Sequence, residues 1–264
     1  MSAHLGERLS AVLALLGPVN HLADVGTDHA RVPLAAVRCG QALRATGIDR
    51  HGPPLASAAG TLARLGESRV RLRKGWGLGP LADDPADAVA IAGVGGATVL
   101  AILAADPEAW RAVKRLVVQP NTEVARVRAE ARALGWHLLA ERMVYERGRY
   151  FVVLALVPGE GPDPCHAETL QHWPQLFASE GPEGDLDAPS GAEQIAWLDL
   201  LGPHLLRHPR PIYLRWLQGE VKRRVADDRR AGQPPSRLTR VFLRALAGLP
   251  PVSREDDGAT AAIG

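Results

Sequence analysis

Residues 22–34 read L-A-D-V-G-T-D-H-A-R-V-P-L, and this stretch decides the fold. A short apolar run ends in Asp24-Val25-Gly26, passes through Thr27 and Asp28, and becomes a run with helical spacing. That is the pattern of a buried strand turning sharply into a helix. In an open α/β sheet such turns lie beyond the carboxyl ends of the strands, where glycine lets backbone approach a ligand and a helix N-terminus offers free N–H groups. Two carboxylates four residues apart, Asp24 and Asp28, flank the turn. One can serve a cofactor and the other the chemistry; the plainer alternative is that both cap a helix in an ordinary βα turn.

Outward from this turn, the chain repeats the unit. An amphipathic helix over Leu5–Leu16, with Leu9, Val12, Leu13 and Leu16 on one stripe, precedes the strand Leu22–Val25. A helix over Val32–Cys39 carries Pro33 in its first turn, where a missing N–H does no harm. Strands follow at Leu43–Ile48, Val70–Arg73, Ala88–Ala92 and Leu116–Val118. Between them lie helices from Gly52 to Leu65, from Ala97 to Ala104 and, capped by Asn121 or Thr122, onward to Leu134. His137–Val144 and Tyr150–Val157 flank Arg147-Gly148 as a β-hairpin. Five βα units and a terminal hairpin predict a doubly wound α/β sheet, five parallel strands with an antiparallel edge, over residues 1–158.

The rest, 159–264, reads as a second part. Residues 159–191 alternate acidic residues, Pro and Gly around one helical piece, Glu168–Ala178, and predict a surface insertion or linker. From Pro211 to Arg230 an apolar stripe of Leu214, Leu217, Val221 and Val225 appears; after Gly232-Gln233-Pro234-Pro235 a second stripe is Leu238, Val241, Phe242, Ala245 and Leu249. Two helices joined by a short Pro-rich turn are expected to pack antiparallel. Their outer faces carry Lys222, Arg223, Arg224, Arg229 and Arg230, then Arg237, Arg240 and Arg244, which can meet RNA phosphates or simply be a solvated surface. Residues 250–264 are expected to form a disordered tail.

Composition sets wide bounds. The chain has 264 residues, 46% apolar and 23% charged, with a net charge of +2 that by itself argues neither for nor against nucleic acid. No apolar run is long enough for a membrane span, and Met1-Ser2-Ala3-His4 lacks the basic and apolar parts of a signal peptide, so a cytoplasmic protein is expected, most simply a monomer. Cys39 and Cys165 are isolated, and the histidines show no metal-binding spacing; no metal is expected.

The glycine pattern narrows the ligand. After Gly26 the chain has Thr27, Asp28 and His29 where a dinucleotide fingerprint needs two more glycines, and a pyrophosphate would there meet a carboxylate. Folds of this kind that bind S-adenosylmethionine hold no pyrophosphate and tolerate acids near a cationic sulfonium.

Four motifs then give a specific resemblance: A-D-V-G-T-D-H-A at Ala23–Ala30, I-A-G-V-G-G at Ile91–Gly96, V-V-Q-P-N at Val117–Asn121 and L-G-P-H-L-L at Leu201–Leu206. In this order they resemble the A-D-I-G-S-D-H-A, I-A-G-M-G-G, Q-P-N and F-G-P-x-L of the bacterial tRNA (adenine-22 N1)-methyltransferases, the TrmK family. The resemblance implies a Rossmann-like class I methyltransferase sheet followed by a helical coiled-coil domain, with S-adenosylmethionine as cofactor and tRNA as substrate. It implies Asp28 as the catalytic aspartate, with His29 and Asn121 as edge contacts to the base, and Asp24, Gly26, Asp49, Gly75, Trp76, Gly77 and Gly93 around the cofactor. Two departures stand out. The family's acid after the second strand falls at Ile48, one residue before Asp49, a shift that reverses side-chain facing in a strand. The family's Gly-Asp/Asn-Gly is here Gly75-Trp76-Gly77, so either Trp76 stacks on adenine, or the backbone of Leu78 takes over that contact, or Trp76 merely covers the sheet end. Val94, where the family has Met, is expected in the wall that receives the base. A small-molecule methyltransferase and an RNA-binding protein with a decayed cofactor site are the competing readings.

Overall fold

A computed structural model describes residues 5–105, 107–177 and 189–249. The chain divides into two compact units, residues 1–164 and 165–264.

In the first unit the central apolar runs become strands buried on both faces, as the interior of a parallel sheet requires. Among the described residues the elements are α1 (Glu7–Leu16), β1 (Val19–Val25), α2 (Arg31–Arg38), β2 (Ala42–Asp49), α3 (Gly52–Leu65), β3 (Val70–Lys74), β4 (Ala88–Val94), α4 (Gly96–Ala104), β5 (Arg115–Pro120), α5 (Val124–Ala133), β6 (Trp136–Glu146) and β7 (Arg149–Pro158). Strands pair in the order β3-β2-β1-β4-β5-β7-β6. β1 to β5 are parallel, and β7 runs antiparallel to both β5 and β6. The α/β expectation holds, with each strand extending beyond the predicted ends; β5 continues through Gln119 to Pro120 because Val94 of β4 still pairs with it.

Alternation along the strands divides the core. Leu22, Ala88, Ala90, Val117, Val153 and Ala155 pack with Val12 and Leu16 of α1, Leu34 and Val37 of α2, and Ala58 and Leu62 of α3. The intervening residues Val89, Ile91, Leu116, Val118 and Leu154 are equally buried on the other face. There α4 and α5 pack against each other and on β4, β5 and β6. Gly96 permits that approach: a Cβ on it would lie 2.7 Å from the Thr122 carbonyl oxygen. The hairpin turn is Arg147-Gly148, both at positive φ (51° and 80°), the geometry of a tight two-residue connection.

The helix after β5 does not start as the sequence suggests. Neither Asn121 nor Thr122 caps α5; Glu123, left-handed at φ 58°, stands at its N-cap without a side-chain bond to the first turn's N–H groups. Instead Thr122 Oγ1 accepts from the Gly96 N–H (3.3 Å) and Glu123 Oε2 from the Ala97 N–H (3.1 Å), so this loop caps the neighbouring helix α4.

The second unit is helical, with α6 (Pro164–His172), α7 (Gly191–Leu201), α8 (Pro203–Arg207), α9 (Pro211–Arg230) and α10 (Arg237–Gly248). The stretch read as insertion or linker is partly core: Cys165, His166 and Thr169 of α6 and Leu176 are buried, and His166 Nε2 lies 2.8 Å from the buried Asp199 carboxylate. Helix α7 opens on a full capping box between Ser190 and Glu193. Gly202, at φ 86°, and Pro203 break α7 from α8, which is what the L-G-P-H-L-L motif does structurally. The expected helical hairpin is α9 and α10, packed through Leu214, Leu217, Val221, Val241, Phe242 and Ala245, with Tyr213 Oη donating to the Leu201 carbonyl (3.0 Å). Val225 is only half-buried. The expected tail, 250–264, lies outside the described residues.

Candidate active site

Strand order reverses between β1 and β4, so helices leave the sheet in opposite directions there and open a crevice at its carboxyl edge. A cavity of about 340 Å³ occupies it. Its walls are the ends of four strands: Val25-Gly26 after β1, Asp49-Arg50-His51 after β2, Gly75-Trp76-Gly77 after β3, and Val94-Gly95 after β4, with Thr98 and Ile102 of α4.

Gly26 carries the turn. Its φ is 79°, and a Cβ there would stand 3.7 Å from Val94 Cγ1, inside the space between the two loops. The turn is pinned to β2, since the Gly26 and Thr27 N–H groups both donate to the Ile48 carbonyl (2.8 and 2.9 Å). These amides are therefore not available to a ligand. Beyond it His29 and Ala30 both adopt left-handed backbone (φ 56° and 51°), and no side chain caps α2, which removes the plain capping role for Asp24 and Asp28.

Asp24 lies buried beneath the turn. Burial, reinforced by the charges of Asp28 and Asp49, pushes its carboxyl up to about 6, while the Thr27 hydroxyl beside it works the other way. A cationic group placed next to it would restore its charge. Asp49 does line the cavity, whereas Ile48 is fully buried; the one-residue offset is absorbed at the strand end. Asp49 Oδ1 accepts from the His51 N–H (2.7 Å) and lies 3.1 Å from His51 Nδ1, which fixes the carboxylate and leaves Oδ2 uncommitted among the described residues. Trp76 is 40% exposed, and the Arg50 guanidinium lies 5.4 Å over its ring.

Asp28 and His29 stand outside the cavity lining. Asp28 is largely exposed; His29 Nε2 lies 3.0 Å from its Oδ1, and His29 Nδ1 lies 2.7 Å from Ser57 Oγ on α3. Ser57 had no signal in the sequence, because nothing in its spacing shows that α3 passes beside the turn.

Two expected site residues are placed elsewhere. Gly93 is not on the cavity: its N–H donates to Gln119 Oε1 (3.1 Å) and its Cα faces the Arg8 guanidinium, so Gly95 takes the lining position. Asn121 has its amide committed at both ends, Nδ2 donating to the Gly93 carbonyl (2.7 Å) and Oδ1 accepting from Gln119 Nε2 (3.3 Å). Arg8 donates to Gln119 Oε1 as well. The Q-P-N and I-A-G-V-G-G motifs thus form one hydrogen-bonded staple, centred on the buried Gln119, that shapes the loop after β4.

In the second unit the basic helix faces are less free than the sequence suggests. Arg223 pairs with Glu220 and Asp227, Arg230 with Asp227, and Arg224 lies 4.2 Å over Phe242. Arg237 meets Glu193 and the Trp197 ring, Arg240 donates to the Pro235 carbonyl and Arg244 to that of Leu176.

The geometry has its counterpart among known proteins. A family model described as a methyltransferase domain matches residues 5–154. The chain belongs to that methyltransferase domain family. A Bacillus subtilis protein named tRNA (adenine(22)-N(1))-methyltransferase is 31% identical over 157 residues, 59% of this chain and 66% of that protein. The chain therefore spans just under two-thirds of the curated relative's length. The crystal structure of the B. subtilis m1A22 tRNA methyltransferase TrmK aligns with a TM-score of 0.67 at 25% identity, over 92% of this chain and 94% of that one. A Streptococcus pneumoniae structure in complex with S-adenosyl-L-methionine aligns at 0.71 and 21% identity, over 92% and 100%, and shows the same fold.

The cavity fits the cofactor of a methyltransferase domain on its own features. Gly26 leaves a cradle that a Cβ would fill, Asp49 offers a free acceptor oxygen to a diol, and Asp24, not itself in the lining but buried next to Val25-Gly26, is a carboxyl whose charge a cation would restore. Trp76 presents an aromatic face beside them.

Proposed function

We propose that the chain is a cytoplasmic tRNA methyltransferase acting on N1 of an adenine, position 22 by analogy with its named relatives, with S-adenosylmethionine as cofactor. The observation that carries this reading is the crevice itself: a switch-point cavity lined by Gly26, Asp49 and Trp76, with the exposed Asp28 two residues beyond Gly26 in the same loop. The cofactor supplies, when bound, a methyl group on a cationic sulfur.

Asp24 answers its amine and Asp49 its ribose hydroxyls, while Gly26 admits its methionyl part. Adenine N1 has a free lone pair at neutral pH, so no base has to remove a proton first. What the site must provide is in-line placement and stabilisation of the charge that develops on the ring. Asp28 does both by accepting a hydrogen bond from the exocyclic amine, an acceptor that strengthens as the ring becomes cationic. His29, held between Asp28 and Ser57, fixes that carboxylate and offers a ring edge to the base. Asn121 supports the site from behind through Gly93, and Val94 lines the wall that receives the flipped base. A guanidinium carries several N–H donors, so Arg237, Arg240 and Arg244 can meet phosphate while keeping the partners they hold. Lys222 and Arg229 make no ion pair among the described residues.

The test is methyl transfer from labelled S-adenosylmethionine to a tRNA transcript, with nucleoside analysis of the product. N1-methyladenosine that disappears when position 22 is changed to guanine supports the proposal. Transfer to small molecules alone refutes it, and so does absence of transfer with tight cofactor binding.

A further inference from the structure

Among the described residues, the large aromatic side chains that stand exposed are Trp76, Tyr145 and Tyr150, at 40%, 49% and 39%. All three lie at one end of the sheet. Trp76 follows β3 at its carboxyl end. Tyr145 and Tyr150 face each other across the β6–β7 hairpin, and because β7 is antiparallel to both neighbours, β6 runs parallel to β5 and brings the hairpin tip to that same carboxyl edge. Val118 pairs with Leu154, so Pro120, where β5 ends, stands level with Val152. Arg149, Tyr150 and Phe151 therefore project past the end of β5 by about 10 Å at ~3.4 Å per residue. Laterally, β7 and β6 lie two and three strand spacings from β4, about 10–15 Å from Val94 in the cavity wall.

The tip is built as a platform. The two tyrosine rings are 4.8 Å apart and inclined at 53°, a pair that leaves its outer faces open. Arg147 occupies the turn and Arg149 lies 5.4 Å over Phe151; neither makes an ion pair among the described residues. The one acid of the tip, Glu146, accepts from the Arg8 N–H (3.0 Å). Arg8 in turn lies 5.7 Å over Phe151 and donates to Gln119, which holds Gly93. The tip is thus tied to the loop that forms the cavity wall, and its uncompensated charge is positive.

We propose that the β6–β7 hairpin tip is an RNA contact: Tyr145 and Tyr150 stack on unpaired bases flanking the target adenine, and Arg147 and Arg149 take the adjoining phosphates. A flat aromatic face serves any base, and a guanidinium beside it serves the backbone; together these are what single-stranded RNA needs and what a rigid duplex cannot use. Ordinary cross-strand pairing would stabilise the hairpin with leucine in place of tyrosine, and it gives no reason for two arginines without ion pairs at the same turn. The inference rests on the tRNA reading above and specifies which surface meets the RNA.

The experiment measures binding of the full chain to tRNA and to matched single-stranded and duplex oligoribonucleotides, for the wild type and three double variants. Tyr145→Leu/Tyr150→Leu keeps the apolar cross-strand contact and is expected to weaken tRNA binding about fivefold or more, the low end for one stacked base, with the preference for single strands lost. Tyr145→Phe/Tyr150→Phe keeps the rings and should bind as the wild type does. Arg147→Gln/Arg149→Gln should weaken binding and flatten its salt dependence. Melting temperature and S-adenosylmethionine affinity should be unchanged in all three. Unaltered tRNA binding by the leucine variant overturns the stacking role, and so does an equal loss in the phenylalanine variant. If the wild type does not methylate tRNA at all, the functional reading falls; if it does and the leucine variant binds normally, only the hairpin assignment falls.

Discussion

Replacing Asp24 with asparagine tests the electrostatics of the cofactor loop. The side chain is buried, and its carboxyl is pushed from 3.8 up to about 6, chiefly by burial. A folded-state pKa above the unfolded value means that the folded chain holds the proton more tightly, so stability is greatest below the unfolded pKa and falls as pH rises through the window from 3.8 to about 6. With about 1.4 kcal/mol for each unit, ionising Asp24 costs the cofactor-free protein on the order of 3 kcal/mol at pH ~8. The amide of the Asp24→Asn variant is neutral throughout. Urea melts of the two proteins should coincide near pH 4 and diverge as pH rises, the variant becoming more stable by a few kcal/mol in the transition that includes residues 1–164. The same substitution removes the charge proposed to meet the cofactor amine. S-adenosylmethionine should therefore bind the variant weakly with little pH dependence, whereas wild-type affinity should fall as pH drops below about 6. A stability difference that stays constant from pH 4 to 8 would refute the argument, because it would mean that Asp24 ionises in the fold as it does in the unfolded chain.

Gly26→Val should abolish cofactor binding with modest loss of stability, since the residue sits at φ 79° with its Cβ aimed at Val94; wild-type affinity by calorimetry would remove this loop from the site. Asp28→Asn should lower the single-turnover methylation rate by about 10²-fold while leaving cofactor affinity nearly unchanged. The reverse pattern would make Asp28 a cofactor ligand and move the catalytic role to His29. Ser57→Ala removes one hydrogen bond from His29 and should slow transfer by about fivefold, at unchanged KM for the cofactor; no change in rate would show that His29 is placed without it.

The strand-turn-helix at Gly26 was legible because a buried parallel strand has to be an apolar run and a turn of positive φ selects glycine. For Gly75, Trp76 and Gly77 the pointer was the family resemblance; with Asp49 they line the cavity, each at the carboxyl end of a strand the sequence could place. What failed was everything that depends on a partner distant in the chain. Asn121 or Thr122 looks like the cap of the helix that follows, yet Thr122 and Glu123 cap α4 instead, each bonding an N–H 26 residues earlier in the chain. Gly93 and Gly95 are indistinguishable as glycines, and only the presence of Gln119 and Arg8 behind the first decides which one faces the cavity. The arginines of α9 and α10 read as an open basic face because spacing along one helix cannot show Glu193, Trp197 or the Leu176 carbonyl arriving from other elements. Helices α7 and α8 were missed for a local reason: α7 has almost no one-sided apolar periodicity, and its start is marked by the capping box instead.

The staple behind β4 explains why a site this sparse in side chains can hold a defined shape. Gln119 is fully buried and uses both ends of its amide, accepting from Arg8 and the Gly93 N–H and donating to the Pro120 and Asn121 oxygens. Gln119 is the buried member, so removing one of its partners would leave part of its amide unsatisfied, at about 1–3 kcal/mol. That cost holds the Val94-Gly95 wall at a fixed distance from the Gly26 turn without placing any of the staple's own atoms in the cavity. In the proposed mechanism the chemistry is then left to few groups: Asp24 and Asp49 toward the cofactor, Asp28 and His29 toward the base. Because Arg8 belongs to both the staple and the hairpin, a shift of the hairpin on meeting RNA would be transmitted to the wall of the cavity through Gln119 and Gly93, by contacts the structure already contains.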